Sequence, residues 1–258
     1  LNNAQSGPSG ERARWVPIKP GTDGAMAMAM IRWMFENERF NATYLANPSK
    51  AAADATGETS WSNATHLVIT DQDHPRYGHC LRGSDMGLTI EGEAYSDADP
   101  YMVISETGPV AAGASPAPLF HAGEAETPNG AVNIKTALTL LREEAMSREM
   151  SDYAEDCGIP IEKLVELARE FTSHGRKAAV SSHGGMMNGS GFYNAYALMM
   201  LNTLIGNLNW KGGTMIAGGG FSETKGPAYD LVNFPGKVKA KGLPFGRNVP
   251  YEKTTEFK

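Results

Sequence analysis

The chain has 258 residues, 41% of them hydrophobic and 20% charged, which is typical of a globular protein with one large domain or two smaller ones. Its formal net charge of −6, without any run of lysine and arginine, argues against a nucleic-acid partner. The 29 glycines and 15 prolines exceed the roughly 12% combined share of an average protein, and they predict many turns and close backbone approaches.

The ends of the sequence are typical of a piece of a longer protein. It begins without methionine and closes at Glu256-Phe257-Lys258 without a further element. Signal peptide, twin-arginine and membrane-spanning patterns do not occur, since the most apolar run, residues 24–31, is far shorter than the roughly 20 residues that cross a bilayer. Cys80 and Cys157 lack the close spacing of zinc or iron–sulfur ligands. The sequence leaves open whether the two cysteines form a disulfide. The favoured interpretation of Cys157, which precedes Gly158, is a small buried hydrophobic residue.

The first predicted element is a long helix that follows a Gly-Thr-Asp turn. Thr22 or Asp23 is a natural N-cap for a helix that runs to about residue 40. Residues 24–31 are apolar on every side, which predicts that the first two turns of this helix are buried all round.

The pattern changes over residues 61–131, where strand candidates at 67–69 and 101–104 are separated by clusters of Gly, Pro and Asp. This indicates an irregular, strand-containing excursion. A buried strand is predicted at 178–182. The other predicted elements are helices, over about residues 134–148, 150–157, 161–171 and 192–205. This order of elements is that of an α/β domain.

The turn before the first helix is one candidate binding site. A helix start offers unpaired N–H groups, and the glycines around Thr22 and Asp23 allow a ligand to approach the backbone. The Asp23 carboxylate could accept the paired donors of a guanine edge. The alternative is that Thr22 and Asp23 only cap the helix.

A glycine-rich loop after the predicted strand is a second candidate. It contains His183, Gly184, Gly185 and Asn188, and such loops can cradle a phosphate or another anion. It matches neither the Walker loop nor the dinucleotide-binding fingerprint. The alternative is that His183 is a structural histidine with its hydrogen bonds satisfied.

A third candidate lies at the end of the last predicted helix. Asn202 and Asn207 are polar residues on an otherwise apolar element, so both need hydrogen-bond partners, which backbone groups alone could supply. Gly206 ends the helix and permits a tight turn.

One polar stretch contains candidate metal ligands without a recognisable ligand spacing, and a solvated loop is the favoured interpretation. These residues are Asp71, Asp73, His74, His79 and Asp85. The sequence contains neither a Gly-x-Ser-x-Gly elbow nor a His-Glu-x-x-His motif, so no catalytic residue and no metal ligand is assigned.

Three motifs together resemble the molybdopterin oxidoreductases of the dimethyl-sulfoxide-reductase type. They are Trp-Val-Pro-Ile-Lys-Pro-Gly-Thr-Asp-Gly-Ala at 15–25, the Gly-Ile-Pro turn at 158–160 before an acidic amphipathic helix, and Leu-Asn-x-Leu-x-Gly-Asn at 201–207 followed by Gly-Gly. The stretches at 28–33 and 61–67 are most similar to catalytic subunits of tetrathionate reductases. Thiosulfate/polysulfide and respiratory arsenate reductases are near relatives in that family.

The resemblance implies a fold and a cofactor. The fold would be Rossmann-like, with parallel-sheet portions of two central cofactor-binding domains at residues 1–175 and 176–258. Molybdenum would be held by two molybdopterin guanine dinucleotides. The iron–sulfur cluster and the protein ligand to molybdenum would lie outside this chain, so none of these groups is expected on the isolated piece.

The resemblance also implies residue roles and partners. Gly21, Thr22 and Asp23 would contact the guanosine end of one dinucleotide. The loop with His183, Gly184, Gly185 and Asn188 would lie near a pterin, and Asn202, Gly206 and Asn207 would support the adjoining cofactor surface. The whole enzyme would reduce tetrathionate, a small sulfur oxyanion, in the periplasm. Its partners would be an iron–sulfur electron-transfer subunit together with a membrane anchor subunit. A non-catalytic α/β binding module is the alternative from another functional class.

Overall fold

The computed structural model describes residues 14–181, 189 and 191–214, which lie within one compact unit. The helices of this part are α1 (Asp23–Glu36), α2 (Ala42–Leu45), α3 (Lys50–Thr56), α4 (Ala137–Met146), α5 (Met150–Cys157), α6 (Ile161–Ser173) and α7 (Gly191–Leu204). The strands are β1 (Leu67–Ile69), β2 (Met102–Ser105), β3 (Gly108–Ala111), β4 (Ala122–Thr127) and β5 (Gly130–Thr136). Among the described helices, none has both the length and the apolar character needed to cross a membrane.

Helix α1 is the centre of the helical region and packs against α4, α5, α6 and α7. Ala27, Ala29, Met30 and Ile31 are buried, whereas residues 24–26 are only half-buried. The prediction of all-round burial is therefore confirmed for the second half of the apolar stretch except at Met28, which is half-buried and lines a cleft. The first turn keeps some exposure because a cleft opens beside it.

Helix α1 ends at Glu36, earlier than the predicted end near residue 40. Glu38 adopts a left-handed backbone conformation with φ of 53°. The Arg39 N–H donates to the Met34 carbonyl at 2.8 Å, and the Glu38 N–H donates to Phe35 at 3.3 Å. These two bonds form a Schellman motif, in which a non-glycine residue takes the place that glycine usually holds. The prediction missed this end because no glycine marks it.

The strands form antiparallel sheets in the described residues. Strand β5 lies between β1 and β4, and β2 pairs with β3. The predicted strands at 67–69 and 101–104 are confirmed to within one residue, and β3, β4 and β5 are additional. The chain is therefore mixed α/β, and no parallel sheet occurs within the residues that the structure describes.

The predicted helix at 134–148 begins three residues too early. Residues 134–136 complete β5, where Ile134 pairs with Ile69 and also with Gly123. Thr136 then caps α4, because its side chain accepts a hydrogen bond from the Thr139 N–H at 3.3 Å. Residues 134–136 therefore form a strand because they pair with β1 and β4, although their sequence pattern is helical. The predicted helices at 150–157, 161–171 and 192–205 are confirmed closely.

Residues 178–181 are extended but pair with no strand of the described part of the chain. Ala179 and Ser181 are exposed, so the predicted buried strand is wrong for the part of it that is described. Helix α7, which follows, packs against α1 and contributes Leu198, Leu201 and Leu204 to the same apolar core. The boundary at residues 175 and 176 stays a prediction.

Candidate functional site

A cleft of about 720 Å³ lies beside the first turn of α1. Its volume is in the range of small-molecule and cofactor pockets. Gly21 and Thr22 line it at the start of α1, and Tyr193, Asn194 and Tyr196 line it on α7. Helix α4 and the end of α5 contribute the other walls. One of the predicted binding turns therefore opens onto a cavity of suitable size.

Asn194 fastens the turn before α1 to helix α7. Its Nδ2 donates to the Gly21 carbonyl at 3.0 Å, and its Oδ1 accepts from the Gly24 N–H at 3.1 Å. A Cβ on Gly24 would lie 2.6 Å from this Oδ1, so only glycine fits here without displacing the amide. Asn194 is buried, and the two bonds fix the shape of the turn from outside it.

Neither Thr22 nor Asp23 caps α1 through its side chain. The Thr22 hydroxyl donates backwards to the Lys19 carbonyl at 2.7 Å, and no side-chain cap bond forms at the helix start. Asp23 is half-buried in the first turn, and its carboxylate has no hydrogen-bond or ion-pair partner among the described residues. Thr22 is therefore the N-cap residue by position, as expected, but neither side chain makes a capping hydrogen bond, and no described residue donates to the Asp23 carboxylate.

Asn202 is fully buried and holds the extended segment 178–181. Its Oδ1 accepts from the Val180 N–H at 2.9 Å, and its Nδ2 donates to the Val180 carbonyl at 2.7 Å. Asn207, also fully buried, donates from Nδ2 to the Ala178 carbonyl at 2.6 Å and to Asn202 Oδ1 at 2.8 Å. The Asn207 Oδ1 has no partner in the described part of the chain. The four hydrogen bonds of 2.6 to 2.9 Å go to backbone groups of Ala178 and Val180, apart from the one between the two amides themselves.

Gly206 and Gly213 are required by close packing around the end of α7. Gly206 has φ of 66°, and a Cβ there would lie 2.8 to 3.0 Å from the side chain of Tyr44. A Cβ on Gly213 would lie 2.2 Å from the Asn207 carbonyl oxygen. Gly206 therefore acts in packing, and it shapes the connection that keeps Asn207 in place.

Helix α7 joins two of the predicted stretches through one rigid element. Asn194 lies in its first turn and Asn202 near its end, about 12 Å apart along the axis at 1.5 Å per residue. The former holds the turn before α1, and the latter holds the segment that precedes the glycine-rich loop. His183, Gly184, Gly185 and Asn188 lie outside the described residues. The segment 178–181, on one side of this loop, is nevertheless held by α7, which begins on the other side.

Charged groups at the α4 and α5 side of the cleft pair with one another. Arg148 Nη1 lies 2.7 Å from Asp156 Oδ2, and its guanidinium lies 5.0 Å from the Tyr153 ring centroid. The hydrogen bond with Asp156 raises the pKa of Arg148, and burial raises the pKa of Tyr153. At neutral pH this wall presents a paired arginine and a neutral phenol.

Three of the candidate metal ligands of residues 71–85, namely Asp71, His74 and Asp85, make hydrogen bonds or ion pairs within the protein. Asp85 pairs with Arg76, and Asp71 accepts from the Asn133 N–H at 2.6 Å. Groups of three or more histidine, cysteine or acidic side chains that could hold a metal do not occur in the described residues. Cys80 and Cys157 are both free thiols, and Cys157 is fully buried as predicted.

Asn194 is the site residue that the sequence analysis missed. The signal was the same as for Asn202, an asparagine on an otherwise apolar helix that must find hydrogen-bond partners. Its partners lie about 170 positions earlier in the sequence, so only the packing of α7 on α1 identifies them.

Comparison with known proteins gives relatives over nearly the whole chain, although no family model matches it. A tetrathionate reductase subunit of Salmonella typhimurium is 44% identical over 96% of this chain and 24% of that protein. A selenate reductase subunit of Mesobacillus selenatarsenatis is 39% identical over 95% of this chain and 23% of that protein. A tetrathionate reductase subunit of Archaeoglobus fulgidus is 34% identical over 94% of this chain and 21% of that protein. The chain thus spans about a quarter of the length of the curated relatives it matches.

Proposed function

The chain belongs to the molybdopterin oxidoreductase family, and from this premise we propose that it forms part of the cofactor pocket in the catalytic subunit of a molybdenum reductase. The observation that carries the proposal is the double role of α7. This helix holds both the turn before α1 and the segment before the glycine-rich loop, so the two stretches that would contact the cofactor share one support.

The residues at the start of α1 fit the guanosine end of a molybdopterin guanine dinucleotide. Guanine presents a ring N–H and an amino group side by side, and a carboxylate with open acceptors matches both donors. Asp23 has such a carboxylate in the first turn of α1. The cleft itself is lined by its neighbours Gly21, Thr22 and Gly24 and not by Asp23, so the guanine would have to reach Asp23 at the rim. Gly21 and Gly24 line the cleft, although Asn194 already binds the Gly21 carbonyl and the Gly24 N–H. The glycine-rich loop with His183 would lie toward the pterin.

The extended segment 178–181 supports the further proposal of Rossmann-like parallel sheets in two cofactor-binding domains. Asn202 takes up both backbone groups of Val180, which fixes one edge of the segment. The exposed Ala179 and Ser181 suit a segment that pairs with strands outside this chain. The antiparallel sheets would then belong to the excursion inserted between the cofactor-binding elements.

The bound cofactor would supply the two-electron chemistry, and this chain would supply its position. Asp23 would bind the guanine edge, while Asn194 and Asn202 would keep the two contacting stretches at a fixed separation. Because a misplacement of about 1 Å can cost about a hundredfold in rate, this rigidity would matter for catalysis. An iron–sulfur cluster and the molybdenum ligand would be provided by parts of the protein outside the chain.

Tetrathionate is the first substrate candidate, because two of the relatives are named for it. Its reduction adds two electrons to one sulfur–sulfur bond and gives two thiosulfates. Selenate is the second candidate, because the relative at 39% identity is a selenate reductase subunit. Both are small divalent oxyanions. The whole enzyme would lie in the periplasm. Its partners would be an iron–sulfur electron-transfer subunit and a membrane anchor subunit.

The full-length protein carrying Asp23→Asn tests the guanine contact. Replacing the carboxylate by an amide puts a donor opposite the two guanine donors, so we expect the guanine released by acid hydrolysis and the bound molybdenum to fall at least about tenfold. Reductase activity should fall in parallel. Asp54→Asn, on the exposed face of α3, is the matched control and should leave all three measurements unchanged.

Cofactor analysis of the unaltered full-length protein separates this proposal from a non-catalytic binding module. Bound molybdenum and guanine support the reductase, and their absence after expression in a host that makes the cofactor would contradict it. Assays with tetrathionate, selenate, thiosulfate and arsenate then decide the substrate. Selenate reduction without tetrathionate reduction would overturn the first candidate and support the second.

A further inference from the structure

A second cavity, of about 380 Å³, lies in the strand-containing region and is lined by none of the residues of the cofactor proposal. Its lining consists of Arg76, Gly78, His79, Cys80, Arg82, Tyr95 and Tyr101. Two arginines and two tyrosines in one small cavity are an arrangement that can bind an anion, provided that the arginines keep donors free.

Arg82 keeps such donors. The residue is only 7% exposed, and its Nε is buried without a partner in the described part of the chain. One terminal nitrogen, Nη2, donates to the Ser96 carbonyl at 2.5 Å. Across residues 14–181, 189 and 191–214, no carboxylate lies within ion-pair distance of this guanidinium. A buried charge without a direct ion pair is costly, so this guanidinium can accept a further anionic partner.

The nearest carboxylates do not supply that partner, because other donors already occupy them. Asp85 accepts from the Arg76 guanidinium, from the Arg82 backbone N–H at 2.8 Å and from the Tyr95 hydroxyl at 3.1 Å. Arg76 is therefore neutralised, and its other terminal nitrogen donates to the Cys80 carbonyl at 3.0 Å. Arg76 forms a wall of the cavity, whereas Arg82 makes no direct ion pair among the described residues.

Asp99 is occupied in a similar way. Its two oxygens accept from the Ser84 N–H and hydroxyl, at 3.1 and 2.6 Å, and from the Tyr95 N–H at 2.8 Å. Although burial acts to raise the pKa of Asp99, these bonds, together with the nearby Arg82 charge, hold it below its usual value. Asp99 is thus an ionised carboxylate whose acceptors serve the loop that shapes the cavity.

Aromatic stacking fixes the direction of the Arg82 guanidinium. Its central carbon lies 3.8 Å from the centroid of the Tyr101 ring, which also stacks on His66 at 4.5 Å. Burial lowers the pKa of His66, and the nearby Arg82 charge lowers it further. His66 is therefore neutral at pH 7, and the positive charge of the site resides on Arg82.

We infer that this cavity binds a small oxyanion, with the free donors of Arg82 as its charged partner. A guanidinium presents two N–H groups in a fork that matches two oxygens of a sulfate-, thiosulfate- or carboxylate-like group. Gly78 leaves the entrance open, and the exposed His79 adds a polar edge. The cavity shares no lining residue with the cleft beside α1, so this inference does not depend on the cofactor proposal.

Alkylation of Cys80 provides a test, because this thiol lines the cavity and Cys157 is fully buried. The rate with iodoacetamide is measured on the 258-residue chain with sulfate, thiosulfate, selenate, phosphate or acetate, each against chloride at equal ionic strength. We expect at least one oxyanion to slow alkylation in a saturable manner, by about tenfold, and to bind with the same midpoint in calorimetry. Equal rates in every oxyanion and in chloride would overturn the inference.

Substitution of Arg82 completes the test. Arg82→Gln should weaken the binding of the protecting anion by at least about tenfold, the loss expected for a charge-assisted hydrogen bond of about 1.5 kcal/mol or more. Arg39→Gln, an exposed arginine elsewhere, is the control and should change nothing. If Arg82→Gln does not fold, Arg82→Lys keeps the charge without the fork and should still weaken binding several-fold. Unchanged protection in the folded variant contradicts the assignment.

Discussion

A buried amide of the helical region and a buried guanidinium of the strand-containing region differ in how far their own chain satisfies them. In the helical region, the Asn202 amide makes all its bonds within the chain, to Val180 and Asn207. In the strand-containing region, the Arg82 guanidinium leaves donors unused beside a cavity. A buried group that is satisfied by its own chain fixes the fold. An open buried group indicates a ligand only where it borders a cavity, since the Asn207 Oδ1 of the helical region is open as well among the described residues.

The two regions also have separate apolar cores. The helical core includes Ile31, Met34 and Leu201, whereas Leu67, Met102 and Ile134 belong to the core between the sheets. Because each region has its own core, we expect changes in one to leave local stability in the other nearly intact. Amide hydrogen exchange measures both regions in the same sample.

The largest expected effect is that of Asn202→Ala. The change leaves the Val180 N–H, the Val180 carbonyl and the Asn207 amide without their buried partner, so we expect a loss of about 4 kcal/mol in the free energy of unfolding. Chemical denaturation measures the loss, and hydrogen exchange should accelerate in α7 before β5. Asn129→Ala, at an exposed position, should change stability by less than about 0.5 kcal/mol. A loss of similar size in both variants would contradict the role given to Asn202.

Gly206→Ala should have the second largest effect. The added Cβ meets the Tyr44 side chain and must adopt a left-handed backbone, so a loss of about 3 kcal/mol is expected. Gly57→Ala is the matched comparison, because Gly57 has φ of 74° with nothing within 4 Å of the added atom. Its loss should be near 1 kcal/mol, roughly the backbone cost alone. Equal losses would show that the contact with Tyr44 is not what requires glycine.

The smallest expected effect is the acid sensitivity of His66. Burial lowers its pKa in the folded protein, so the unfolded chain binds a proton more readily. Stability should therefore fall as the pH decreases below about 6.5, the usual pKa of histidine, until the lowered folded pKa is reached. Asp71, whose pKa is lowered by hydrogen bonds from Asn133, contributes only at more acidic pH.

Thermal unfolding of His66→Gln between about pH 5 and 7 checks this expectation. The variant should lose stability overall but show a flatter pH dependence across this range than the unaltered chain. His174→Gln, at an exposed position after α6, should keep the full dependence. An unchanged slope in His66→Gln would mean that another group causes the acid sensitivity.

The amino-acid sequence by itself determined the family and the longer helices, whereas the short helices α2 and α3 were not predicted. The 3.6-residue periodicity of α6 and the glycine after α5 predicted their positions closely, since these signals are local. The motifs at residues 15–25 and 201–207 were sufficient to identify the family, and the relatives agree with it. The left-handed end of α1 at Glu38 was not predictable, because its stability comes from surrounding contacts and not from a glycine.

Tertiary structure alone decided what the polar residues of the candidate sites do. Asn194 and Asn202 look alike in sequence, yet one holds the turn before α1 and the other holds residues 178–181. The open carboxylate of Asp23 and the open guanidinium of Arg82 are likewise defined by which donors and acceptors other residues have already taken. Periodicity is a property of neighbouring residues, whereas hydrogen-bond satisfaction depends on groups brought together from distant parts of the chain.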